Sequence, residues 1–92
     1  MLNDALKSVR KFHNVSVQDA AREMGVSASY ISEIEHGKKR IHQDILEAYS
    51  RLFNLPISAF FLIDEKPNEI LRSRNKVIAK QIRQIIKWIA DD

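Results

Sequence analysis

Residues 16–37 read Ser-Val-Gln-Asp-Ala-Ala-Arg-Glu-Met-Gly-Val-Ser-Ala-Ser-Tyr-Ile-Ser-Glu-Ile-Glu-His-Gly, and they constrain this chain more than any other stretch. They predict two short helices joined by a tight turn. Ser16 suits the N-cap of the first helix, and Asp19 stands where a capping-box acid would sit. Ala20 and Met24 fall on one face at i and i+4. Gly25 stands where that helix must stop, because glycine adopts a left-handed backbone at no steric cost. Val26 is the apolar plug of the turn. Ser27 suits the N-cap of the second helix, whose inward residues are Ile31 and Ile34. Ala28, Ser29, Ser32, Glu33 and His36 remain for its outer faces, and all are small or polar. Gly37 closes that helix, and Lys38-Lys39-Arg40 follows.

The run Gly25-Val26-Ser27, then Tyr30-Ile31-Ser32, Ile34-Glu35 and Gly37-Lys38, resembles the helix-turn-helix of the phage repressor and Cro family, also called the XRE family. The resemblance extends from about Leu6 to about Phe61. It implies an all-α fold, a five-helix repressor-like DNA-binding domain whose second motif helix enters the major groove of double-stranded DNA. The competing reading is an unrelated helical hairpin with a chance Gly-Val-Ser turn.

The rest of the chain sets bounds on both readings. Ninety-two residues suit one domain plus an appendage. The absence of cysteine excludes a disulfide framework and a cysteine metal site. No secretory signal and no apolar run of membrane-spanning length is visible, so a cytoplasmic protein is expected. The net charge of +3 is uneven. Residues 1–65 carry eight Lys/Arg against nine Asp/Glu, whereas residues 66–92 carry seven against three. DNA binding by the first part must therefore depend on where its cations lie, chiefly Lys38-Lys39-Arg40.

Periodicity predicts a first helix over about Leu2 to Phe12 and a fourth over about Gln43 to Phe53. Asn54 and Pro56 end the fourth, and a short fifth helix follows from about Ile57 to Leu62. The expected division is a helix-turn-helix domain over 1–63, a polar linker over 64–68 around Pro67, and a C-terminal amphipathic helix over 69–92. In that last helix Leu71, Ile78, Ile82, Ile85 and Ile89 follow 3-4 spacing, with Asn75 filling the missing place.

Carried over by resemblance, the base-reading positions fall on Ala28, Ser29, Ser32 and Glu33. Ala28 can touch only a thymine methyl, the serines can bond a base edge or a phosphate, and Glu33 can accept from a cytosine amino group. Glu33 has an equal alternative as a solvated acid or the ion-pair partner of a nearby Lys or Arg. Phosphate contacts are expected from Lys38, Lys39 and Arg40, and from free amides at the start of the first motif helix. Many family members begin that helix with a glutamine. Here the position is Val17, with Gln18 next as its substitute. His36 stands where an asparagine often meets phosphate, and a contact there would strengthen binding at mildly acid pH. An exposed histidine near the cap is the alternative. The resemblance also implies a partly buried ion pair between Arg10 and Glu35. Tyr30 is expected to pack or to contact the DNA backbone, not to read a base.

A C-terminal helix with so broad an apolar stripe must be covered. It can pack back on the domain, pair with its copy in a second chain, or cover a regulatory protein or peptide. Two-fold operators favour the homodimer, seamed by Leu71, Asn75, Ile78, Ile82, Ile85 and Ile89. An anionic membrane surface has only Trp88 and the lysines in its favour. No cofactor is expected. His13, His36 and His42 lack metal-ligand spacing, and no phosphate-binding glycine loop or nucleophile constellation suggests an enzyme. The expected function is a sequence-specific homodimeric repressor, with an antitoxin or partner-binding regulator as the alternative.

Overall fold

The computed structural model describes the backbone of residues 2–65 and 76–91, and the side chains of residues 2–64 and 80–89. Among the described residues are six helices: α1 (Leu2–Phe12), α2 (Val17–Met24), α3 (Ala28–Glu35), α4 (Gln43–Phe53), α5 (Ile57–Glu65) and α6 (Lys76–Asp91). No helix among them is long and apolar enough to cross a membrane.

The ends of α1 and α4 have local causes. α1 stops at Asn14, which takes the left-handed backbone with φ 57° while Val15 N–H reaches back to the Arg10 carbonyl. α4 stops in the same way at Asn54, φ 52°, whose N–H donates to the Ser50 carbonyl. Asparagine tolerates this region better than other non-glycine residues. α5 runs on through Glu65, so the first two residues of the expected linker are helical. After Pro56 no glycine or proline interrupts the chain before Pro67. The remainder of that linker, Leu71 and Asn75 lie outside the described residues, as does the side chain of Ile78.

α1 is the hub, packing against α3, α4, α5 and α6. Leu6 and Val9 meet Ile31, Ile34, Tyr49 and Phe60 in one core, and all six are fully buried. Each such side chain contributes about 1.5–3 kcal/mol over leaving it in water. α6 completes this core. Ile82 and Ile85 are 2% and 1% exposed within a single chain. Trp88 meets Phe12 edge-on, with ring centroids 6.0 Å apart. The stripe expected to pair two chains is thus occupied, at Ile82 and Ile85, by α1 and α5 of the same chain. Ile89, by contrast, remains 37% exposed.

Candidate nucleic-acid interface

The junction between α2 and α3 is built as an exposed corner. Ser16 caps α2, its hydroxyl accepting from the Asp19 N–H at 3.0 Å. The Asp19 carboxylate turns to Arg22 as an exposed ion pair. Gly25 takes φ 72° and ψ 30°, and Val26 N–H reaches back to the Ala21 carbonyl at 3.0 Å. This double closure ends α2 within one residue and points the chain into the next helix. Val26 packs against the core, and Ser27 caps α3 by accepting from the Tyr30 N–H at 3.1 Å. With Ile31 and Ile34 inward, the opposite face of α3 is left to solvent.

That face carries most of the expected DNA-contacting residues of the two motif helices. Val17 and Gln18 at the start of α2, and Ala28, Ser29, Ser32 and Glu33 on α3, line one open concavity. Gln18 and Ser29 are exposed, the other four half-buried. The first amides of α2 open at its rim, where an anion is favoured.

The far end of α3 is tied down by its C-terminal turn. Gly37 takes φ 75°, and Lys38 N–H donates to the Glu33 carbonyl at 2.8 Å. Lys38, Lys39 and Arg40 then form an exposed cationic turn. Lys39 folds back onto α3, its Nζ 3.7 Å from Glu33 Oε2 and 5.8 Å from the centre of the Tyr30 ring. The side chains of Lys39 and Glu33 are 53% and 40% exposed. A pair so wet contributes about 0–1 kcal/mol to stability. Its effect is to place a cation beside the acid on the outward face. His36 is exposed and turned toward its own helix, with Nδ1 donating to the Ser32 carbonyl at 2.7 Å.

Beneath α3 lies a buried brace. Arg10 Nε donates to both Glu35 carboxylate oxygens at 3.0 and 2.9 Å, and its terminal NH2 donates to Oε1 at 2.8 Å. A third Arg10 nitrogen donates to the Val15 carbonyl at 2.8 Å. Arg10 is 7% exposed and Glu35 is 3%. Sequence reasoning missed two further partners of Glu35. Tyr49 of α4 donates its hydroxyl to Oε2 at 2.6 Å, and Asn3 of α1 donates to the Glu35 carbonyl at 3.2 Å. The Tyr49 signal was its amphipathic side chain in an otherwise apolar stripe, since a buried phenol needs a partner. Burial first, and then the bond to Glu35, push the Tyr49 hydroxyl far above the ordinary tyrosine range. The brace pins the C-terminal end of α3 to α1 and α4, so the outward face is presented on a rigid element.

A helix-turn-helix family model matches residues 6–60. The chain matches no curated protein and no solved structure. The matched span covers both motif helices, the glycine turn and the brace, and with it the chain belongs to the XRE helix-turn-helix family of DNA-binding transcriptional regulators.

Proposed function

We propose that the protein is a sequence-specific repressor that binds double-stranded DNA as a homodimer in the cytoplasm. α3 is the reader, with Ala28, Ser29, Ser32 and Glu33 against base edges. The observation that carries this reading is the single concavity shared by those four residues with Val17 and Gln18. In this reading the start of α2 meets one strand's phosphates while α3 lies in the groove. Lys38 and Arg40 anchor the backbone beyond the other end of α3. His36, with Nδ1–H given to the Ser32 carbonyl, can meet a phosphate through Nε2–H only as the imidazolium.

Pairing two copies presents two readers to a two-fold operator. Because Ile82 and Ile85 already serve one chain's core, a dimer contact on α6 would run along the surface that bears Ile89. The same burial weighs against the antitoxin alternative, which needs the apolar face of α6 for a toxin. A helix already covered within its own chain has little left to offer such a partner.

Selecting bound duplexes from a random DNA pool tests this directly. Two enriched half-sites spaced by about 10–10.5 base pairs, or a multiple of that, are expected. Arg40→Ala should weaken all sequences alike and reduce the salt slope by about 1. Recovery of no sequence preference would remove the reading role of α3. Placement of the recovered operator before a reporter gene should lower its expression when the protein is supplied.

A further inference from the structure

We propose that Glu33 and Lys39 act as one unit that reads a single G·C base pair, so that Lys39 contacts a base. The proposal rests on the DNA-binding reading above and names what one part of that site recognises. It starts from the return of the chain after α3. Gly37 at φ 75° and the Lys38-to-Glu33 backbone bond fold the turn back along the helix. Lys39 Nζ comes to 3.7 Å from Glu33 Oε2, with the Tyr30 ring 5.8 Å away as its platform.

The pairing resolves an electrostatic problem. A lone carboxylate entering the major groove meets the field of two phosphate strands. Glu33 enters with an ammonium beside it, so the pair carries no net charge into the groove. Both side chains keep half or nearly half of their surface exposed, so their polar atoms stay within reach of a docked duplex.

The chemistry then selects a base pair. A carboxylate only accepts and an ammonium only donates, through up to three hydrogens. The major-groove edge of G·C offers two adjacent acceptors on guanine, N7 and O6, and one donor on cytosine, the N4 amino group. An ammonium on N7 and O6 with a carboxylate on N4 satisfies all three. O6 and N4 are themselves joined by a base-pair hydrogen bond and lie about 2.9 Å apart. Lys39 Nζ and Glu33 Oε2 are 3.7 Å apart, wider than that, as an ammonium shared between O6 and the more distant N7 requires. On an A·T edge the donor lies between the two acceptors. A carboxylate there leaves the ammonium one acceptor only, and the thymine methyl crowds the far side. G·C therefore gains one contact over A·T.

The test is a selection of duplexes from a random pool with the full chain and with Glu33→Gln, Lys39→Met, Lys39→Arg and the Glu33→Gln/Lys39→Met double variant. Wild-type half-sites should hold G·C at one fixed position, and changing that pair to A·T should weaken binding roughly tenfold. Glu33→Gln and Lys39→Met should each erase that preference and leave the other positions intact. The double variant should lose no more discrimination than either single one. Lys39→Arg should keep the preference, because guanidinium also bonds O6 and N7 together. Lys39→Met that weakens every sequence alike while G·C stays preferred would show a phosphate anchor and overturn the proposal. A preference that Glu33→Gln removes and Lys39→Met does not would overturn the joint role. A wild-type pool with enriched half-sites but no fixed G·C would overturn it too, while leaving DNA reading in place. No enrichment at all would overturn both. Unfolding midpoints of the variants should match wild type, since both side chains lie at the surface.

Discussion

Glu35 is the residue on which the presentation of the reader depends. It takes bonds from Arg10 and Tyr49 while 3% exposed, so each of these bonds compensates for removing its charge from water. Glu35→Ala leaves Arg10 buried without its anion and should cost about 3–5 kcal/mol, measured by urea unfolding. Tyr49 adds a pH dependence. An unfolded tyrosine ionises near pH 10. The folded one holds its proton well above that, through burial, the bond to Glu35 and the charge of that carboxylate, with Arg10 acting in the opposite direction. Below pH 10 both states keep the proton and the contribution is intact. As pH rises beyond 10 the unfolded chain releases a proton that the folded chain retains, so stability falls. Tyr49→Phe should therefore cost about 1–3 kcal/mol at pH 7 and make the alkaline loss shallower. Circular dichroism across pH 8–12 checks it: an unchanged alkaline slope would assign that loss to another group.

At the scale of elements, α2 and α3 are eight residues each, too short to hold their shape alone in water. Their caps and their packing do it. Ser27→Ala removes the acceptor for the Tyr30 N–H and should cost about 1 kcal/mol, with operator affinity falling as the first turn of α3 frays. Gly25→Ala is a different case. A Cβ there would meet nothing within 4 Å, so crowding plays no part. The penalty is that of a left-handed backbone at φ 72°, about 1–2 kcal/mol. Thermal unfolding of Gly25→Asn, a residue that tolerates this region, should recover part of the loss.

For the molecule as a whole, α6 decides how the core is closed. Ile82→Ala and Ile85→Ala each empty a site buried among α1 and α5 and should cost about 2–5 kcal/mol. If these residues serve one chain's core, the loss in midpoint will be the same at all protein concentrations. A loss that grows on dilution would instead place them in a seam between chains. Sedimentation of the wild-type protein, with and without operator DNA, reports the assembly independently.

Local chemistry set the positions of the first four helices. Ser16 and Ser27 as caps, Gly25 and Gly37 as left-handed stops, and Asn54 before Pro56 all act within about four residues, so their consequences can be read along the chain. The polar face of α3 was legible for the same reason, because helical spacing alone puts Ile31 and Ile34 opposite Ser29. Tertiary structure decided the rest. An apolar stripe states that α6 must be covered, and only packing shows that α1 and α5 cover Ile82 and Ile85. Sequence left Glu33 as either a base reader or an ion-pair partner. The turn at Gly37, by carrying Lys39 back over Tyr30, puts a cation beside Glu33 on the outward face of α3. Tyr49 and Asn3 met Glu35 across 14 and 32 residues of chain. Contacts over such separations follow from how helices stack, which no local pattern encodes.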